Sequence, residues 1–377
     1  MTGTHTSSTH PPLHPTTEDD TVDRLRLLRS RRVGIVTYRR LLAEHGSAAK
    51  ALDILPDIAR EAGVAGYEIC PLGVVEAEMK AAKAAGAQLL IDGQTYYPAS
   101  LQEIEDAPPL LWALGDVSLL GKPMIAMVGA RNASSLGTRM AKRLAQDLTA
   151  RGFVVVSGLA RGIDTAAHHG ALAGGTIAVQ AGGVDIIYPA ENTELAKDIA
   201  KQGLRLSEAP MGLQPQARHF PARNRIISGL AQAVIVVEAA AKSGSLITAR
   251  NALDQARDVL AVPGHPFDAR AAGCNMLLRD GATLIRNADD VIEALAALSP
   301  ADPELPLPDV KKPNAALRNT AALHNMILSR LGPAPIAEDQ LLRDIAAPAT
   351  SVAPVLVDLE LDGKITRQAG GLLARVV

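Results

Sequence analysis

The stretch RHFPARNRIISGL, residues 218–230, crowds Arg218, Arg223 and Arg225 around Phe220 and Asn224. No Asp or Glu occurs between Glu208 and Glu238, so these cations have no acidic neighbour in the sequence. An ordinary solvated face would carry interspersed acids, and their absence points to a bound polyanion. Other stretches pair glycine with a cation in the same way. VGARNASSLG sets Gly129 beside Arg131, and SGLARGIDTAAHHG sets Gly158 and Gly162 around Arg161, with Asp164 placed to cap a following helix. AKSGSLITARNAL puts Lys242, Ser243, Gly244 and Ser245 ahead of another helix. Glycine lets the backbone turn sharply, and unbonded amides at a helix start attract phosphate. Singly, each stretch is only what any strand-to-helix turn requires. Together they predict a crevice that grips phosphates.

Groups that would do chemistry on such a ligand are missing. The dinucleotide fingerprint G-x-G-x-x-G does not follow the first strand and no Walker A sequence occurs, which argues against NAD, FAD and ATP hydrolysis. No nucleophile elbow or paired carboxylate stands out. His168 and His169 have no third ligand at metal spacing and read as a packed and solvated pair. The expectation is a binding protein with no catalytic residue, no metal and no cofactor.

The elements that must position these loops are legible as apolar runs. MIAMVG, FVVVSG, TIAVQAGG, AVIVVEA and VLAVPG alternate with amphipathic helical patterns between about Pro123 and Leu298. Short, continuously apolar strands separated by helices predict a doubly wound, mostly parallel α/β sheet covered on both faces. Ligands of such sheets bind at the carboxyl ends of the strands, where the glycine–cation loops fall.

Around this domain the chain changes character. Residues 1–20, rich in Ser, Thr, His and Pro, predict a disordered tail without the layout of a signal peptide; His5, His10 and His14 are better read as part of it than as metal ligands. Residues 21–98 space leucine and isoleucine for a small helical domain, in which RRVGIVT joins two helices in a helix-hairpin-helix manner. Its arginines (Arg24, Arg26, Arg29, Arg31, Arg32, Arg39 and Arg40) read as a solvated helix face. Residues 99–298 make the α/β domain and 299–314 a Pro-rich linker. Residues 315–377 outline three helices and a hairpin around Ala369-Gly370-Gly371, the pattern of a winged helix.

Bulk properties agree with a multidomain globular protein. The 377 residues are 47% hydrophobic, 21% charged and only 2% aromatic, with a formal net charge of −2. Cys70 and Cys274 offer no disulfide framework. No apolar run reaches the length of a membrane span. A cytoplasmic protein with reduced thiols is expected.

The motifs VGAR, SGLARGIDTAAHHGAL, GGVDIIYPAEN, LSEAP, FPARNRIISGLA, VVEAAAKSGSLITARNALDQARDVLAVPG and GCNMLLRDGATLI occur in an order that resembles the DNA-processing protein A family (DprA, also called Smf). The resemblance covers about Tyr96 to Asn287 closely and extends to a helical SAM-like module before it and a winged helix after it. It implies a recombination mediator of natural transformation that binds single-stranded DNA, loads the RecA recombinase and forms a homodimer through its Rossmann-like domain. By motif, Arg131 and Arg161 would hold phosphates, while Phe220, Arg223, Asn224, Arg225, Lys242, Ser243 and Ser245 would contact the strand. Phe220 would either stack on a base or anchor the core.

Two departures qualify the resemblance. RRVGIVT lacks the first glycine of a good helix-hairpin-helix, and SVAPVLVDLELDG, the would-be reading helix of the winged helix, carries Asp358, Glu360 and Asp362. Those carboxylates repel phosphates, so this module is expected to meet protein rather than DNA. The rival readings are a nucleotide phosphoribohydrolase of the LOG (lysine-decarboxylase-like) type and a scaffold that binds RecA with DNA incidental. The hydrolase pattern P-G-G-x-G-T-x-x-E faces AKSGSLITARN here, with no glutamate at the matching place.

Overall fold

The computed structural model describes residues 18–298, 316–368 and 370–376. The expected tail up to residue 17 and the linker at 299–314 lie outside these residues. The described residues fall into two units divided between Ser299 and Pro300, each taken by itself.

The first unit is built on one mixed sheet. Its strands are β1 (Gln88–Ile91), β2 (Leu110–Gly115), β3 (Met124–Val128), β4 (Val154–Ser157), β5 (Thr176–Val179), β6 (Leu204–Ser207), β7 (Ala233–Val236), β8 (Asp258–Ala261) and β9 (Thr283–Leu284). They lie in the order β1-β2-β6-β5-β4-β3-β7-β8-β9. The span from β6 to β9 is parallel, and β1 and β2 close the other edge antiparallel. All five expected apolar runs are strands here. The sheet also takes in LRLS at β6, the short edge strand β9, and β1 and β2. Thus β1, placed with the helical segment at 21–98, pairs into the sheet with Leu89 opposite Trp112.

The helices are α1 (Glu18–Arg29), α2 (Ile35–His45), α3 (Ala48–Glu61), α4 (Leu72–Ala85), α5 (Ala99–Gln102), α6 (Ser135–Ala150), α7 (Ile163–Ala171), α8 (Thr193–Gln202), α9 (His219–Leu230), α10 (Ser245–Asp254), α11 (Ala272–Arg279) and α12 (Ala288–Leu298). Alternation along β3 divides the core. Met124, Ala126 and Val128 pack towards α9 and α10, whereas Ile125 and Met127 pack towards α6 and α7. The order in which strands are added reverses between the parallel neighbours β3 and β7, the switch point at which the loops after these strands part and leave a crevice.

The N-terminal helices are fastened by charge, which revises the reading of Arg24, Arg26, Arg29 and Arg39 as a solvated face, while Arg31, Arg32 and Arg40 are exposed as expected. Glu18–Asp20, expected in the tail, already belong to α1, where Asp20 accepts from Arg24 at 2.7 Å. Arg26 donates to the carbonyl of Cys70, and Arg39 to those of Glu105 and Ala107. Arg32, at φ 65° in the α1–α2 turn, occupies a left-handed position that glycine would hold more easily. Glu78 of α4 is the central clamp. Its carboxylate takes two bonds from Arg29 (2.8 and 2.9 Å) and one from Trp112 Nε1 on β2 (2.8 Å). Burial opposes its charge, yet Arg29 and the Trp112 N–H hold its carboxyl below the ordinary value.

In the second unit α13 (Ala316–Arg330), β10 (Ile336–Ala337), α14 (Glu338–Ile345), α15 (Ala349–Leu361), β11 (Ile365–Gln368) and β12 (Leu372–Arg375) form a winged helix, with β12 between β10 and β11. Gly370 and Gly371 turn the wing at φ 87° and 73°, values that a side chain resists. Among the described residues no helix is long and apolar enough to cross a membrane.

Removing one member of a buried ion pair leaves the other charge stranded at a cost of about 3–5 kcal/mol. Glu78→Ala is therefore expected to strand Arg29 and lower the denaturant midpoint of the first unit sharply. Chemical denaturation followed by Trp112 fluorescence reads this directly. An unchanged midpoint would remove Glu78 as the clamp.

Candidate nucleic-acid interface

Each loop at the carboxyl edge is shaped first by the protein's own contacts. After β3, Gly129 lies so close to Ile163 and the Glu238 carbonyl that a Cβ would meet them at 2.6 and 2.8 Å. Ala130 N–H donates to that same carbonyl, which ties the β3 loop to the β7 loop across the switch point. The Glu238 carboxylate accepts from Ser134 N–H (2.9 Å) and from the Ser134 hydroxyl at the start of α6. That helix terminus is thus already supplied with an anion.

Part of the loop after β4 is internally satisfied, because the amides of Gly158, Leu159, Ala160 and Ile163 are all bonded within the protein. Asp164 does not cap α7. Its Oδ2 accepts from the Gly158 and Ala160 N–H groups at 3.1 and 3.3 Å, folding the loop back on itself. Burial raises its carboxyl, against the lowering influence of Arg223 and these amides. Leu159 N–H donates to Nε2 of His168, whose Nδ1 lies 2.7 Å from Thr176 Oγ1. His168 is fully buried, and burial with the nearby Arg223 charge pushes its pKa down to about 3. With Nε2 accepting, the proton of the neutral ring sits on Nδ1. His169, by contrast, is exposed. Gly162, at φ +78°, would press a Cβ to 2.2 Å from the Ala130 carbonyl. The three glycines therefore serve protein packing.

The basic stretch that begins at Arg218 is helix α9, and its arginines part company. Arg223 is 5% exposed; its guanidinium lies on Gly158, where a Cβ would sit 1.9 Å from Nη1, and donates to the Val179 carbonyl at 2.6 Å. Burial lowers its pKa to about 10, and its buried Nε has no partner among the described residues. Arg225 is ion-paired to Glu208 at 2.6 Å and to Asp106 at 3.0 Å. The expected lack of local compensation is thus corrected: Asp106 approaches from the loop before β2, far away in the sequence. Arg218 is exposed and shares a hydrogen bond with His219.

What the edge presents outward is smaller and sharper than the expected set. Arg131 is exposed, and its guanidinium carbon stands 5.1 Å from the centroid of the half-buried Phe220 ring. Arg223 lies 6.0 Å from that centroid on α9, beside the partly exposed Asn224. Tyr188, from the β5 loop, packs its ring 5.7 Å from Phe220 at a 52° tilt and is 51% exposed. Phe220 is thus both a partial anchor and part of an open aromatic–cation cluster. Tyr188 was not picked out from the sequence, although a tyrosine in the loop that follows an apolar strand is a visible signal in an aromatic-poor chain. Arg161 is exposed and 3.7 Å from Glu191. Lys242 is exposed on the β7 loop beside Gly244, and the Ser243 and Ser245 hydroxyls bond each other at 2.7 Å. No hydrogen bond or ring contact among the described residues joins Lys242, Ser243 or Ser245 to the Arg131–Phe220 cluster. Among the described residues there is also no cluster of side chains that could hold a metal ion.

The carboxyl edge of the parallel strands thus carries exposed cations beside aromatic rings. Residues 88–296 match the family of DNA recombination-mediator protein A, residues 18–81 a DprA-like N-terminal HHH domain and residues 311–371 a DprA winged helix domain. The chain belongs to this DNA recombination-mediator family. It is 48% identical over 202 residues to DNA processing protein DprA of Bacillus subtilis, covering 53% of this chain and 68% of that one. It is 37% identical over 279 residues to protein Smf of Escherichia coli, covering 73% and 74%. The solved DNA processing protein A of Streptococcus pneumoniae superposes with a TM-score of 0.61 at 37% identity, covering 72% of this chain and 97% of that one. The Helicobacter pylori relative, whose structure was described for its single-stranded DNA binding mode, gives 0.52 at 32% identity, covering 56% and 96%.

The depressed pKa of His168 has a defined pH consequence. Between the ordinary value of 6.5 and about 3, the unfolded chain binds a proton that the folded chain refuses, so stability falls as the pH drops through this window. Linkage puts the loss between pH 7 and pH 5 at about 2 kcal/mol. Denaturation at the two pH values should show a shallower dependence in His168→Gln than in wild type. Equal dependence would place the acid sensitivity elsewhere.

Proposed function

We propose that the protein binds single-stranded DNA without regard to sequence at the carboxyl edge of its sheet and mediates loading of RecA onto that strand during recombination and natural transformation. The observation that carries this reading is the cluster of Arg131, Phe220 and Tyr188, an exposed cation against aromatic rings at the switch-point edge. Cations aimed at phosphates hold a strand without reading it, and aromatic faces accept any base. Arg131, Arg161 and Lys242 take the phosphates, and Asn224, Ser243 and Ser245 border the path. Arg223 supports the Phe220 segment from beneath, and Arg225 braces α9 through Glu208 and Asp106. Gly129, Gly158, Gly162 and Gly244 shape the loops. Association into a homodimer through the α/β domain accompanies this reading, as does a cytoplasmic location.

The family has no enzymatic name, and the LOG-type hydrolase reading gains nothing from the site. The β7 loop lacks the glutamate of that pattern, and the loop's own carboxylate, Glu238, is engaged by Ser134. In the winged helix, Asp358 and Glu360 lie on α15, and Glu360 faces Arg367 of the wing at 3.6 Å. That acidic helix suits a protein partner better than DNA.

Fluorescence anisotropy with labelled oligo-dT and a matching duplex across a salt series tests the proposal. Tighter binding to oligo-dT is expected, with log K falling linearly in log salt by about 0.7 per phosphate contacted. Arg131→Ala should weaken binding and reduce that slope by about one contact's worth, whereas Arg225→Ala should leave the slope unchanged. Oligo-dT binding that is insensitive to salt, or an unaltered Arg131→Ala protein, would reject the site.

A further inference from the structure

We infer that Tyr188, rather than Phe220, is the ring on which a nucleobase of the bound strand stacks. The inference rests on the reading of the carboxyl edge as a single-stranded DNA site and names a contact within it. Phe220 is half-buried and its surroundings are taken. The Arg131 guanidinium stands 5.1 Å from its centroid, that of Arg223 6.0 Å, and the Tyr188 ring packs against it at 5.7 Å. A base entering there would displace Arg131, the cation that the adjoining phosphates require. Tyr188 is 51% exposed, and its recorded ring contact is the tilted one to Phe220. Phe220 thereby serves as a wall that holds the tyrosine ring upright.

The loop that carries Tyr188 is pinned on both sides. Before it, Gln180 Nε2 donates to the Ile186 carbonyl at 2.5 Å, and Asp185 accepts from Gly212 N–H at 2.9 Å. After it, Asn192 Nδ2 donates to the Leu159 carbonyl at 2.9 Å, which fastens the far end to the β4 loop. A ring presented on so fixed a segment loses little freedom when a base covers it, and so retains most of the stacking free energy. Cations are near for the flanking phosphates. Arg131 lies against Phe220, and Arg161 reaches Glu191 further along the Tyr188 loop. The ligand class is a single strand with unpaired, extrudable bases, because a paired base offers no free face for a side ring.

The test uses the full chain, labelled oligo-dT and an abasic strand of the same length that keeps the sugar–phosphate backbone. Tyr188→Phe keeps the ring, while Tyr188→Leu keeps apolar bulk without a π-face. Tyr188→Leu is expected to weaken oligo-dT binding about tenfold, within the range of one base–aromatic stack, with the salt slope unchanged. Tyr188→Phe should bind oligo-dT as wild type does, and all three proteins should bind the abasic strand alike. Tyr188→Leu binding oligo-dT as tightly as wild type, or losing the same factor on the abasic strand, would overturn the inference while leaving the phosphate site intact. Failure of the wild type itself to bind oligo-dT would overturn the underlying reading as well.

Discussion

The carboxyl edge depends on one buried guanidinium. Arg223 reaches from α9 across Gly158 to the carbonyl of Val179, and so joins the helix that bears Phe220 to the ends of both β4 and β5. No side chain can replace hydrogen at Gly158 without evicting it. Burying an arginine is costly unless partners surround it. Here the carbonyl takes one donor, and Asp164 supplies a nearby opposite charge while itself closing the β4 loop. The same few ångströms therefore set the loop's shape, the helix's seat and the position of the aromatic cluster. The role of the most conspicuous arginine is to hold other residues in place.

This arrangement explains what could and could not be read in advance. The parallel strands are legible because burial on both faces demands uninterrupted apolar runs, as in MIAMV of β3. LRLS of β6 escapes that rule through Arg205, an arginine buried in a strand and satisfied by Gln180 and the Val184 carbonyl. The antiparallel edge is short, and its membership depends on a register with β6 that no local pattern signals. The convergence of the glycine–cation loops on one edge was also legible, since the ends of parallel strands meet there by topology. The division of labour among its arginines was not. Arg225 looks uncompensated along the chain, but Asp106 reaches it only in the folded protein. Sequence proximity measures charge balance over a few residues, whereas folding brings in charges from more than a hundred residues away.

The N-terminal helices teach the same lesson from the other side. Their arginines suggest a basic surface, yet Arg24, Arg26, Arg29 and Arg39 are spent on a carboxylate or on carbonyls within the unit. Arginine suits this use, because its planar fork satisfies two acceptors at once. The Glu78–Arg29–Trp112 contact shows the result, a helical layer fused to the antiparallel edge of the sheet through hydrogen bonds as well as through a shared apolar core.

Two acids stand among the cations of the carboxyl edge, and both are engaged within the protein. Glu238 and Asp164 occupy backbone and hydroxyl donors at the start of α6 and in the β4 loop. Those donors would otherwise form rigid anion cups, suited to one phosphate at one place. With those donors engaged, Arg131, Arg161 and Lys242 are among the cations that stay exposed at this edge. Long cationic side chains follow a moving backbone and hold each phosphate weakly, and a ring beside them accepts any base. On the proposed binding role, such an edge suits a flexible strand held at several weak points. The internal acids thus take up donors that a fixed anion seat in this crevice would otherwise use.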